Sequence, residues 1–415
     1  MARSPRRRAE RRPLPPGFGT IWSTVALDLV GFGIILPILA IYGERLGASP
    51  TTLGFVVSSF SVAQLIFSPL LGRLSDRVGR RPVILLSLFG TAVGSVITGG
   101  ATSVWMLFLG RIVDGASGAS VSVAQGAVTD VAPPEERAHL LGLLSAAFGV
   151  GFVLGPALGG LSALAGPRVP FFVAAGIAFV NALVAIKRLP ETHPPGARRA
   201  VVEDEPPVES AERRKALTRL ALVAFIATAA FSAFEATFSL LGQRRFGLTE
   251  GSVSVVFVGI GIVLVAVQGG LVRPVNARFG SVGALRGALG LLAVGLVLLA
   301  AATTWWLLVP ALALLVVGQG LATPTMSTLV AGRAHDARRG GALGFQQSAG
   351  ALARIVGPAM GGILFEYVGV AAPYVVGAAM VCVALLLVTR MQAPAAAPGP
   401  MASPPLPTGA ATTDA

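Results

Sequence analysis

One cysteine, Cys382, stands in a chain of 415 residues, so no disulfide forms within it. Histidine is nearly as scarce: none of His139, His193 and His335 falls in the interior of an apolar stretch, and no metal site is visible. Charge is short as well, at 12% of residues, about half the share of a soluble domain. No nucleophile–base pair, phosphate-cradling loop or extramembrane domain fit to hydrolyse ATP stands out, which speaks against an enzyme and against a cofactor. The excess is apolar. Hydrophobic residues make up 54%, mean hydropathy is +0.77, and there are 52 glycines and 29 prolines, both better tolerated in membrane helices than in soluble ones. The composition is that of a polytopic protein whose surroundings are a lipid bilayer.

Apolar stretches lie near 18–42, 51–72, 82–101, 104–130, 139–163, 169–187, 217–241, 251–272, 281–302, 305–331, 341–365 and 371–390. Most approach the ~20 residues a helix needs to cross. The formal charge of +13 could suggest nucleic acid, but its placement does not. With the N-terminus inside, alternate loops put 26 of the 32 Lys and Arg on the cytoplasmic side and 4 outside. The remaining two, Arg111 and Arg354, lie within spans. The positive-inside rule then places both termini in the cytoplasm, in a cell inner (plasma) membrane, and the basic N-terminus is an orientation signal rather than a nucleic-acid arm.

The chain nearly repeats itself at half-length. Gly155-Pro156-Ala157-Leu158-Gly159-Gly160 returns as Gly357-Pro358-Ala359-Met360-Gly361-Gly362, an offset of 202 that also relates Gly118 to Gly320 and Gly142 to Gly344. The expected fold is therefore an all-α polytopic membrane protein of twelve transmembrane helices in two pseudo-symmetric six-helix bundles, with a substrate site between them near the midplane. The bundles are read at 18–187 and 217–390, with a basic tail over 1–17, a cytoplasmic linker over 188–216 and a disordered tail over 391–415.

Ionisable residues inside the spans are costly, roughly 2.5–3.5 kcal/mol each on insertion scales, and functional by default. Asp28 lies about ten residues into the first span, ~15 Å deep, as either a titrating acid or a member of an ion pair. In the fourth span Arg111, Asp114, Gly118, Ser122 and Gln125 fall within roughly 80° of one another on a helical wheel. That polar face must look into the protein. Arg111 has two possible partners there, Asp28 and Asp114. Glu235 in the seventh span is a second titrating or cation-recognising acid, a partner for Arg354, or an interfacial residue. Gln347 lies two turns before Arg354 on the same face, and Gln64 and Gln319 add neutral polar points to a substrate cavity.

The loop Gly72-Arg73-Leu74-Ser75-Asp76-Arg77-Val78-Gly79-Arg80-Arg81-Pro82 resembles the signature between helices 2 and 3 of the major facilitator superfamily. The resemblance implies a conformational latch of Gly72, Asp76, Arg77, Gly79, Arg80 and Asp130. In it Asp76 docks on the Gly340-Gly341 start of the eleventh span, and Arg77 pairs with Asp130. A carboxylate at a helix N-terminus meets unpaired amides and the positive dipole end. Arg111-Ile112-Val113-Asp114-Gly115-Ala116-Ser117-Gly118-Ala119 is similar to the helix-4 motif of drug:proton antiporters, whose arginine is tied to proton transfer, although that pattern often has glutamine at the position of Asp114. Gly151, Gly155, Pro156, Gly159 and Gly160 in the fifth span resemble the antiporter signature. Within the superfamily the combination looks most like the twelve-helix drug:proton antiporters, tetracycline exporters included.

What the resemblance implies is a monomeric secondary transporter that moves amphipathic drugs or other small molecules outward by alternating access in exchange for protons. Asp28, Arg111 and Glu235 would couple the proton. A proton-coupled symporter importing a small metabolite shares the fold and is the alternative.

Overall fold

The computed structural model describes residues 14–133, 136–193, 211–334, 339–389 and 391; most of the two tails and of the linker lies outside them. Thirteen α-helices and no strand occur among the described residues. They are α1 Phe18–Arg45, α2 Pro50–Val78, α3 Arg80–Gly99, α4 Val104–Ser117, α5 Ser120–Val131, α6 Arg137–Ala163, α7 Val169–Arg188, α8 Ala211–Phe246, α9 Glu250–Ala266, α10 Val272–Ala301, α11 Trp305–Arg333, α12 Arg339–Tyr367 and α13 Ala372–Thr389. In hydrocarbon every backbone polar group must be satisfied inside the segment, which leaves helices as the answer for apolar runs of this length.

Helix ends are closed by side chains. The Ser49 hydroxyl accepts from the Thr52 amide at the start of α2, and Thr249 and Ser252 cap each other at the start of α9. Arg245 donates to the carbonyls of Ala300 and Ala302 at the end of α10, at 2.8 and 2.9 Å.

Ten helices among the described residues are long and apolar enough to cross a membrane, where the sequence suggests twelve spans. Two places account for the difference. Residues 104–130 do not form one helix: the chain turns at Gly118 and Ala119, leaving α4 with 14 residues and α5 with 12. Residues 250–301 run from α9 through a π-helical turn, Val267–Leu271, into α10, which is itself two helices joined at a kink. Within it only Gly280 leaves helical geometry, at φ 66° and ψ 159°, a conformation glycine adopts without a Cβ clash. A further difference is the start of α8 at Ala211, ahead of the expected 217.

The repeated glycines bring backbones together. A side chain at Gly33 would run into the Gly151 carbonyl, and one at Gly155 would come 2.6 Å from the Gly33 Cα, so α1 and α6 touch along their main chains. In the second half Gly357 and Gly361 meet Ala229, Ser232 and Ala233 in the same way, pairing α12 with α8.

Contacts between the halves gather at the end of the bundle remote from Leu14 and Met391. There Gly54 of α2 abuts Pro358 of α12 and Gly362 abuts Pro50, while Gly261 of α9 abuts Phe152 of α6 and Gly160 abuts Ser254. Ser58 donates to the Ile355 carbonyl at 2.6 Å, Ser239 donates to the Pro37 carbonyl at 2.8 Å, and the Thr51 amide donates to Glu366 at 2.9 Å. Glu44 pairs with Arg244 at 3.3 Å, and Arg45 pairs with Glu250. The opposite end is open. Beyond Ala63 only Ser75 of α2 is buried.

Candidate functional site

The turn at Gly118 and Ala119 builds the centre of the site. Gly115 lies so close to the Phe60 carbonyl that no side chain would fit, and the Gln64 amide donates to the Gly118 carbonyl at 2.9 Å. That bond satisfies an acceptor that loses its intrahelical donor where α4 ends. The break places Ser120 at the first turn of α5, where its hydroxyl donates to the half-buried Asp28 carboxylate. Asp28 thus sits near the N-terminus of α5, where unpaired amides and the helix dipole favour negative charge.

Arg111 is held elsewhere. Its guanidinium donates to Asp114, three residues on, at 2.8 Å, and stacks over the Phe60 ring at 4.3 Å. Arg111 and Asp114 are 2% and 5% exposed, so this is a buried ion pair. Of the two partners that the sequence leaves open, the structure joins Arg111 to Asp114. Removing one member strands a buried charge, and Asp114→Ala is expected to cost about 3–5 kcal/mol. The check is a lowered thermal unfolding temperature in detergent, partly recovered by adding Arg111→Leu.

The other residues singled out from the sequence fall as follows. Gln125 is half-buried on α5, and Ser122 bonds to Ser68 of α2 at 3.1 Å. Gln319 on α11 is half-buried, with its amide nitrogen 3.4 Å from Thr323. Gln347 and Arg354 on α12 are both exposed. Glu235 on α8 is half-buried, close enough to Arg354 to interact electrostatically but outside the 4.0 Å of an ion pair. Gly151, Gly155, Pro156, Gly159 and Gly160 lie on α6, and every one of these glycines meets a neighbouring helix.

At the open end, Asp130 pairs with Arg80 at 3.0 Å, and Asp76 pairs with Arg80 at 2.6 Å. Arg77 is exposed, so Arg80 holds the place that the motif resemblance gives to Arg77. Arg80 also donates to Ser75 at 2.7 Å. Asp76 is 43% exposed and Gly341 has open space around it; the surroundings of Gly340 lie outside the described residues. Gly72 carries no side chain into a contact. Gly79, at φ 104°, makes the turn into α3.

Sequence reasoning missed three residues. Glu191, in the stretch read as linker, accepts from the Arg80 and Arg81 amides at 2.8 and 3.2 Å and so caps α3. Glu366 caps α2 from the opposite half. Ser120 was one small polar residue among many. Pairings separated by 92 to 315 positions leave no local signal.

Residues 21–296 and 272–413 match the profile of the family described as Major Facilitator Superfamily. The chain belongs to this superfamily. This facilitator is 33% identical over 351 residues to the tetracycline resistance protein, class E, of Escherichia coli, covering 82% of the chain and 86% of that protein. It is 28% identical over 377 residues to multidrug resistance protein 1 of Bacillus subtilis (strain 168), covering 89% and 94%. Among solved structures, the human organic anion transporter MFSD10 (TETRAN) superposes with a TM-score of 0.69 at 27% identity, covering 90% of this chain and 98% of the other. This facilitator is a multi-pass membrane transporter of small molecules with the major facilitator fold, and such proteins are not enzymes.

Proposed function

We propose that this facilitator exports amphipathic small molecules, drugs among them, in exchange for protons. The observation that carries the reading is Asp28: a carboxylate ~15 Å along α1, at the joint between α4 and α5, with a hydroxyl for a partner. A carboxyl whose surroundings change between conformations takes up and releases a proton as they change. The relatives' names, which speak of tetracycline, multidrug resistance and organic anions, supply the substrate range.

In this reading both termini are cytoplasmic in an inner membrane, and the protein works as a monomer. The end closed by the glycine contacts faces outward. The open end, with Asp76 away from α12, faces the cytoplasm and receives substrate. Substrate binding and loss of the Asp28 proton inward favour the opposite arrangement, in which Asp76 approaches the start of α12 and the remote end parts. Arg111, already neutralised by Asp114 and stacked on Phe60, positions α4 beside this joint; Glu235 is the second acid of the site.

Inside-out vesicles test the direction of coupling. Acidifying the lumen is expected to drive accumulation of a tetracycline or a fluorescent drug inside. Depletion would establish import with the proton and overturn export.

A further inference from the structure

Of the five charged side chains in the membrane-embedded site, four are engaged or withdrawn. Arg111 is bound to Asp114 and stacked on Phe60, Asp28 accepts from Ser120, and Glu235 is half-buried. Arg354 differs. It is exposed, has no hydrogen bond, and no carboxylate lies within ion-pair distance among the described residues. It stands 15 residues from the start of α12 and 13 from its end, hence ~20 Å from either, near mid-membrane. A charge at that depth is tolerated where it faces the protein interior or a water-filled cavity.

The packing of α12 fixes its direction. At about 100° per residue, Ala353, Gly357 and Gly361 make one seam, and the two glycines rest on α8. Pro358 and Gly362 make the seam against α2. Arg354 falls between the two seams, so it points into the wedge between α8 and α2, towards the other half. Gln347 is seven residues earlier, within roughly 20° of the same direction and ~10 Å nearer the open end. It is exposed as well.

We propose that Arg354, with Gln347, recognises substrates bearing an oxyanion, a carboxylate or an enolate, on an apolar body. The inference rests on the reading of this cavity as the substrate site. A guanidinium presents paired N–H donors that match a carboxylate at both oxygens, a geometry a point charge lacks. The Gln347 amide donates to a second polar group of the same molecule. The exposed charge of the site is the cation, so an anion is the ligand it selects. Glu235, within electrostatic reach, balances Arg354 while the site is empty.

The test compares two dyes with one xanthene–phenyl frame: fluorescein, which carries the carboxylate, and rhodamine 6G, in which it is esterified and the dye is cationic. Binding to the full chain in detergent is read by fluorescence anisotropy. Arg354→Gln is expected to weaken fluorescein roughly tenfold or more and Arg354→Lys less, with rhodamine 6G unchanged as the measure of an intact fold. Equal weakening of both dyes, or fluorescein binding that ignores both substitutions, overturns the proposal. Fluorescein binding that depends on Arg354, in a protein that fails to drive the dye across proton-loaded vesicles, upholds the substrate class and removes the export reading instead.

Discussion

Asp28→Asn abolishes proton-driven accumulation while leaving substrate binding intact: this is the result expected in inside-out vesicles. Asparagine keeps the size of the side chain and an oxygen that accepts from the Ser120 hydroxyl, so the joint between α1 and α5 survives. It cannot exchange a proton. Uphill transport is expected to fall by roughly tenfold or more, at least about 1.4 kcal/mol in the barrier of the coupled step. Binding in detergent, and downhill flux along a substrate gradient, should change far less. Undiminished proton-driven accumulation would remove Asp28 from the coupling mechanism. Ser120→Ala separates the two roles of the pair, since it keeps the acid and deletes only the donor; it should slow transport without uncoupling it.

The second large effect is expected at Gly54 and Gly362. The nearest neighbours of each belong to the other half, so a side chain there meets the backbone of Pro358 or Pro50 without disturbing either half alone. Backbone cannot yield as a flexible side chain can. Overpacking of this kind costs about 1–3 kcal/mol, and all of it falls on the arrangement in which the remote end is closed. Gly54→Val and Gly362→Val should therefore shift the balance between the two conformations by roughly 5- to 150-fold. The readout is a cysteine at Ser239, which is 1% exposed and bonded across the halves to Pro37. In a Cys382→Ala background, a membrane-impermeant thiol reagent should modify it faster by a similar factor once either valine is present. Equal rates would mean that these contacts do not hold the end shut.

The class of the fold was legible in the sequence, because apolar runs of membrane length and a glycine pattern repeated at an offset of 202 are properties of the chain alone. The interruption at Gly118 and Ala119 was not. Glycines occur throughout these spans, and this one marks a turn only because Phe60 crowds Gly115 and Gln64 is placed to take the freed carbonyl. Periodicity drew Arg111 to Gln125 as one continuous face, whereas the turn divides it between α4 and α5. The Arg111–Asp114 pair could be read from its spacing of three; the Asp28–Ser120 pair could not. In the loop after α2 the motif cannot say which of its arginines reaches Asp130; that depends on the positive φ of Gly79, which turns Arg80 inward.

The glycine contacts between the halves have an energetic corollary. A closure built from main chain against main chain orders few side chains as it forms, and it buries less apolar surface than interlocked leucines would. Parting it therefore frees little rotamer entropy and exposes little hydrocarbon. The two end states can then lie close in free energy, and a transporter whose states are nearly level needs only a modest ligand or a single proton to tip it. A seam of interlocked leucines, spaced to fit them rather than forced into glycine contacts, would close tighter and part more slowly.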